Sequence, residues 1–381
     1  MKIMKKLLLG TTGLVAATMF AASASAQTPK VTIGGFANFE AGVINDDLDS
    51  GQRAQGFRND TELTFRVDGK LEGRDLGYGA VADLEADVSG DVNNDGVNAS
   101  RTYVYLDGTW GRFELGSNQG ATSTMRVDAS TLAAASGGID GSWNFFANNP
   151  AAAAFITRPA LVTEHGSIGG AGAAIFDNSQ DNANKITYYS PRYEGFQLGL
   201  SYQPDQTDRG QIVSRNEQNI GQSGDIFDGG VNYQNQFGDW TVAAALTGQI
   251  GSAETNVTED LAAWNVGGLV GYSGFKLAAS YGDWSDSNLA SGADASYWTV
   301  GGGYDYGAFG SSVTYIKSKL QGTNRSRDNE FDNIVVGVDY KLAPGLTPYA
   351  EWSIFNFDAA GDVRGQNNNG QVFIVGTQVA F

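Results

Sequence analysis

Along nearly the whole chain, apolar residues alternate one by one with polar or charged ones. The stretch ELTFRVDGKLE shows the pattern: Leu63, Phe65, Val67 and Leu71 fall on odd positions, and Glu62, Thr64, Arg66, Asp68, Lys70 and Glu72 on even ones. A period of two is the period of an extended strand, whose successive side chains point to opposite faces. One face is oily and the other is charged. In a soluble sandwich the oily face makes the core; in a membrane barrel it meets lipid, and the charged face lines water. The neighbouring GYGAVADLEADV repeats the division, with Leu84, Ala86 and Val88 on one face and Asp83, Glu85 and Asp87 on the other. Burying two such charged faces in a dry core would be costly, because unpaired ions resist desolvation. A water-filled lumen avoids that cost.

The ends and the charge balance narrow the reading. Lys2, Lys5 and Lys6 precede an apolar run, Leu7 to Phe20, and Ala24-Ser25-Ala26 is a small-residue cleavage pattern. This predicts a signal peptide over 1–26 and a mature chain over 27–381. The apolar run is too short to span a bilayer comfortably. Removing three lysines from the 24 Lys and Arg leaves 21 basic side chains against 42 acidic ones, a net charge of −21. That argues against nucleic acid as a partner, since phosphate binding needs clustered Lys and Arg. No other stretch approaches the ~20 apolar residues of a membrane helix. The chain has no cysteine, so core packing or sheet closure must hold it. With 52 Gly and 7 Pro, the composition points to an all-β chain.

Alternating segments near 31–44, 61–72, 77–88, 100–107, 112–118, 185–190, 196–203, 228–236, 240–249, 263–272, 275–284, 296–306, 308–318, 333–342, 346–357 and 370–381 predict sixteen strands. Seven connections are short (73–77, 107–111, 190–195, 237–239, 273–274, 306–308 and 342–345) and eight are longer and polar. Tight turns at one end and long loops at the other are the plan of an outer-membrane barrel, and a soluble sandwich has no reason to sort its loops so. Trp110, Phe196, Trp240, Phe275, Phe309 and Tyr340 sit beside the short turns, and Trp264, Trp284, Trp298 and Phe357 toward the long loops. They predict two aromatic belts at the membrane interfaces.

Four segments carry a resemblance to a known family. NKITYYSPRYEGFQLGLSYQPD (184–205) is similar to the strand–SP–turn–GF–strand hairpin of Gram-negative trimeric porins. SRTYVYLDGTWGRFELGSNQG (100–120) resembles a strand–turn–strand segment of that family that opens on arginine and closes on Leu-Gly. VTIGGFANFEAGV (31–43) resembles its first strand, and Phe381, with Val379, Thr377 and Val375 before it, resembles the assembly signal of outer-membrane barrels. The resemblance implies a transmembrane 16-stranded antiparallel β-barrel with an inward-folded third loop. It implies a homotrimer set among outer-membrane lipid and lipopolysaccharide, and passive diffusion of small hydrophilic solutes and ions.

The segment 119–183, between the fifth and sixth strands, is the candidate constriction loop. It is far longer than the ~12–15 residues of an ordinary structureless connection, and it carries the apolar set WNFFANNPAAAAFITRPALV. Its acids Asp128, Asp140 and Glu164 are the candidate loop side of the narrowing. Arg66, Lys70, Arg101 and Arg112 stand on lumen-facing wall positions. Opposed charges across a narrow opening create a transverse field that orders water and selects solutes. Arg101 matches a wall arginine of the family pattern. Where the family often has an arginine early in strand two, this chain has Glu62, with Arg66 further along. The acidic balance, with Asp83, Glu85, Asp87 and Glu114 also facing the lumen, predicts a mild cation preference.

DVNNDG offers Asp91, Asn93 and Asp95 as a candidate weak calcium site, although Thr102 stands where a calcium loop needs its Glu; Asp46, Asp47 and Asp49 are a second acidic group. No other cofactor is expected. His165 is the single histidine and falls in the long loop, so a hydrolase triad or zinc centre has little to draw on, and no enzyme is expected. Two other classes remain: a substrate-selective channel, which a lumenal row of aromatics or stacked arginines would mark, and a secreted binding protein or adhesin, which would be soluble without detergent.

Overall fold

The computed structural model of the chain describes residues 28–86, 98–148, 182–206, 208–211, 213, 223–287, 289, 291–321, 328–360 and 367–381. Sixteen strands run among them. They are β1 (Lys30–Asp46), β2 (Gln55–Lys70), β3 (Gly77–Glu85), β4 (Asn98–Gly108), β5 (Gly111–Ser117), β6 (Asn184–Tyr189), β7 (Phe196–Asp205) and β8 (Ser223–Phe237). The second half holds β9 (Trp240–Ala253), β10 (Leu261–Tyr272), β11 (Phe275–Asp283), β12 (Ala295–Tyr306), β13 (Phe309–Gln321), β14 (Asp328–Tyr340), β15 (Leu346–Asp358) and β16 (Asn368–Ala380). Every strand pairs antiparallel with its sequence neighbours, and β1 closes on β16 in the register Phe36↔Ala380 to Asp46↔Gly370. Closure leaves no unpaired edge, the condition for carrying strands through lipid.

The sequence explains the tight ends. Glu194-Gly195 and Ser273-Gly274 have positive φ at both central positions, the two-residue hairpin turn whose twist suits the flanking strands. Between Asp83 and Leu84 the β3–β4 register shifts: Asp83 faces Arg101 and Leu84 faces Ala99, so Ser100 is the extra residue of a bulge.

Strand parity then sorts the side chains. Phe196, Leu198 and Leu200 of β7 are exposed on the outer wall, while Ser201 and Gln203 are buried on the inner one. In ELTFRVDGKLE, Phe65 is exposed outward; Arg66 and Asp68 face inward and meet Tyr105 of β4. The short-turn belt is outward as expected: Trp110, Phe196, Trp240, Phe275, Phe309 and Tyr340 are all exposed. At the long-loop end Trp264 and Trp298 are exposed, each against a tyrosine on a neighbouring strand, Tyr281 and Tyr315. Trp284 and Phe357 depart from the expectation. They are 2% and 0% exposed and lie in the interior.

Their burial reflects a wider feature. The inner face is not uniformly polar. Ile316, Phe331, Val335, Phe355, Phe357, Val372 and Ile374, on β13 to β16, are buried in one cluster with Ile139 and Trp143 of the third loop. These strands carry apolar residues on their inner as well as their outer faces, and the loop packs against the inner ones.

Candidate functional site

The third loop enters the barrel after β5. Its described part forms a short helix (Ala121–Met125) and three 3-10 turns (Ala129–Leu132, Gly138–Asp140 and Ser142–Phe145). The helix lies on β6 to β9, and the turns then follow the wall from β11 to β16. Short irregular pieces leave many backbone N–H groups without partners, and the inner wall supplies acceptors. Ala121 N donates to Ser201 Oγ at 2.8 Å, Ala129 N to Thr299 Oγ1 at 3.2 Å, Ala134 N to Ser312 Oγ at 2.8 Å and Ile139 N to Thr314 Oγ1 at 3.0 Å. Carboxylates add to the row: Asp228 accepts from Thr122 N, Asp339 from Ala135 N, and Glu351 from Ser136 N, Ser136 Oγ and Gly138 N. At the far end Asp46 of β1 takes Asn148 N at 2.9 Å and Asn148 Nδ2 at 3.0 Å. The loop backbone also needs room. A Cβ at Gly267 of β10 would stand 1.7 Å from Val127 O, so only glycine lets the loop pass there.

The wall from β2 to β5 carries Arg58, Arg66, Lys70, Arg101 and Arg112, and each of the four arginines sits beside acids. Arg58 reaches Glu40 at 3.0 Å and Asp60 at 2.7 Å, with its guanidinium 4.0 Å over the Phe145 ring. Arg66 pairs with Asp68 at 2.9 Å. Arg101 lies 2.8 Å from Asp83 and 3.6 Å from Glu62. Arg112 meets Glu114 at 2.6 Å and Asp107 at 4.0 Å. Arg66 and Arg112 both stack on Tyr105, at 5.1 and 3.9 Å. Lumenal water can solvate the free edges of these pairs, which a dry core could not do.

The candidate residues therefore fall as follows. Arg66, Arg101 and Arg112 line the lumen in ion pairs along the wall. Lys70 ends β2 beside the short turn, at the rim rather than across from the loop. Among the described residues Asp128 and Asp140 pair within the loop rather than with a wall basic as expected. Arg126, on the same loop, takes both, at 3.3 and 3.4 Å. Asp128 also caps the first 3-10 turn through Ser130 N at 2.8 Å. Glu164, Asp87, the signal peptide and the calcium candidates Asp91, Asn93 and Asp95 lie outside the described residues, as does His165. Asp46, Asp47 and Asp49 accept from amides of Asn148, Asn369 and their own turn.

Sequence reasoning overlooked Arg58, Arg126, Glu40 and Glu351. A signal for the first two was present. Arg58-Asn59-Asp60 and Arg126-Val127-Asp128 repeat the spacing of Arg66-Val67-Asp68 and Arg112-Phe113-Glu114. In extended chain, positions two apart share a face and can pair directly.

Comparison with known proteins agrees with this architecture. The chain is 26% identical to an uncharacterized protein of Rickettsia bellii over 99% of this chain and all of that one. It is 24% identical to an uncharacterized protein of Rickettsia conorii, over 92% of this chain and 93% of the other. Among solved structures it is similar to the anion-selective porin from Comamonas acidovorans, with a TM-score of 0.59 and 17% identity, covering 93% of this chain and 100% of that one. A mutant of Rh. blastica porin gives a TM-score of 0.59 at 15% identity, over 92% of this chain and 100% of the other. These two establish likeness of fold. The family model described as Gram-negative porin matches residues 11–360. With that match over most of its length and a closed sixteen-stranded barrel around an inward loop, the chain belongs to the Gram-negative porin family.

Proposed function

We propose that the protein is a general diffusion porin of the outer membrane, exported with a cleaved signal peptide over 1–26, that passes small hydrophilic solutes and ions. The observation that carries this reading is the split interior. The described part of the loop is seated on β6 to β16 through polar acceptors and one apolar cluster, while the wall from β2 to β5 presents its arginine–carboxylate pairs to the lumen. A path between the two has one side of ion pairs and one of loop backbone, which suits polar solutes without demanding one of them.

A mild preference for cations is the finer part of the proposal. Arg58, Arg66, Arg101, Arg112 and Arg126 are matched by Glu40, Asp60, Asp68, Glu62, Asp83, Glu114, Asp128 and Asp140, an acidic excess within the paired set itself. The Comamonas porin bears the opposite selectivity in its name, so the fold does not fix the sign and the local charges must.

Assembly as a homotrimer is supported by the height of the wall. A membrane strand needs about 9–11 residues at a tilt near 45°. β5 has 7 residues and β6 has 6, whereas β1 has 17. At about 3.3 Å per residue and that tilt, seven residues rise ~16 Å, short of a ~25 Å apolar band. A neighbouring copy against this low wall would shield it from lipid.

Planar-bilayer conductance, with the reversal potential under a KCl gradient, tests the reading. Conductance in steps of three with a cation-directed potential is the expected result. An anion-directed potential would refute the charge argument and keep the channel. Folded protein that forms no pores would remove the channel reading and favour a binding protein.

A further inference from the structure

At the short-turn end the lumen holds a cavity of about 440 Å³ between the loop helix and strands β4 to β8. Its lining includes Asp107, Arg112, Tyr189, Arg192, Gln197 and Asn232. The volume lies in the range of small-molecule sites, ~300–1,000 Å³.

Arg192 differs from the arginines of the wall. Arg58, Arg66, Arg101 and Arg112 each pair with a carboxylate. Arg192 is held by neutral acceptors: Gly195 O at 2.6 Å, Gln197 Oε1 at 2.9 Å and Asn232 Oδ1 at 3.0 Å. Among the described residues no carboxylate pairs with it. A guanidinium has five N–H donors, and these three bonds leave two uncommitted. Its position is fixed by the tight turn that follows, where Tyr193 and Phe196 exchange backbone bonds at 2.8 and 2.9 Å. Asp107 is the complementary group. Its side chain is 45% exposed, and its ion partner, Arg112, stands 4.0 Å away while bonding Glu114 at 2.6 Å. One cavity thus has an under-compensated cation and an under-compensated anion in its lining, together with the amide side chains of Gln197 and Asn232.

We infer that this cavity is a transient docking station for zwitterionic solutes of amino-acid or dipeptide size. The solute carboxylate meets Arg192 at one of its two uncommitted N–H groups, on Nε or Nη1, a single charge-assisted contact. The solute ammonium meets Asp107. The inference rests on the channel reading, since solutes reach the cavity through the lumen. A net-neutral solute also crosses an acid-rich passage without the penalty that a free anion meets.

The test is single-channel recording in KCl with L-glutamine in both compartments, and with L-glutamine methyl ester as the probe lacking the carboxylate. The ester is cationic, so an acid-rich pore admits it. The expected result is a saturable fall in current with glutamine and none with the ester. Arg192→Gln should weaken the block about tenfold, the loss of one charge-assisted contact, and Asp107→Asn should weaken it similarly. If Arg192→Gln gives no channels, the same comparison on Asp107→Asn decides. Conducting channels without saturable block, or with equal block by both probes or in the variants, overturn the inference alone. Wild-type protein that never conducts overturns the channel reading, and the inference with it.

Discussion

Trp143→Ala should loosen the third loop without loosening the barrel. Trp143 is 0% exposed, with its ring 6.0 Å from Phe331, nearly parallel to it, and 5.8 Å from Phe355. It is the largest apolar side chain the described loop sets against the inner wall, and Ile139 packs in the same cluster. A buried Trp covers about 150–250 Å², which at about 25 cal/mol per Å² corresponds to ~4–6 kcal/mol. Truncating such side chains in cores costs about 3–5 kcal/mol. The strand ladder makes no use of Trp143, so the loss falls on the docking of the loop, a local opening rather than global unfolding. A loss of ~4 kcal/mol raises the population of the detached loop by roughly a thousandfold.

The assay is single-channel conductance and open-channel noise, read beside the temperature at which the barrel loses its folded mobility in detergent gels. Trp143→Ala should raise noise and mean conductance and leave that temperature nearly unchanged. Trp143→Phe, which keeps a ring against Phe331, should fall between it and the parent. The reasoning is refuted if the alanine variant conducts as quietly as the parent, because the hydrogen bonds to Glu351, Asp339 and Asp46 would then suffice. It is refuted differently if the variant yields no folded barrel, which would make the cluster a core of the barrel itself.

Three further outcomes follow from the same geometry. Arg101→Gln removes the cation between Asp83 and Glu62, so the reversal potential should move further toward cations; Glu62→Gln should move it back, and no movement in either would discount this part of the wall. Gly267→Val puts side-chain atoms where Val127 O passes, so it should cost about 1–3 kcal/mol and shift the loop, seen as altered conductance against a Gly268→Val control on the opposite face of β10. In the short turn after β2, hydrogen bonds from the side chain and backbone of Thr109 hold the Asp75 carboxyl below the usual aspartate range. The stability this contributes is present above the ordinary aspartate value and fades as pH falls through the lowered one. Asp75→Asn should erase that acid-side dependence in a gel-mobility melt.

Much of the barrel was legible because a period of two carries both strand position and facing. All sixteen strands overlap their predicted places, although β2, β8 and β14 begin five or six residues before the alternation marked them, and the seven short turns stand where Gly, Pro and Asp mark them. The harder question was which solvent each face meets, and there alternation is ambiguous. It identified the charged face of β2 through Arg66 and Asp68. It could not say that Trp284 and Phe357 point inward, because an aromatic suits lipid and a buried cluster equally. The sequence nevertheless held the clue. β14 reads Ile334-Val335-Val336 and β16 reads Val372-Phe373-Ile374-Val375, runs of branched and aromatic residues that do not alternate. A strand apolar on both faces is covered on both faces. Outside is lipid, so inside there must be an apolar partner, and the long segment with Trp143 in it was the available one. The ion pairs of the lumen follow from the same logic on its other half. On β2 to β5 charge is retained, and arginine and acid two residues apart pair with each other. Arg192, bonded only to neutral acceptors, and Asp107, 4.0 Å from an arginine that bonds Glu114, are the less compensated groups. Pairing of that kind is invisible in a charge count. It depends on which side chains the register places together, and the register becomes fixed only when the barrel closes.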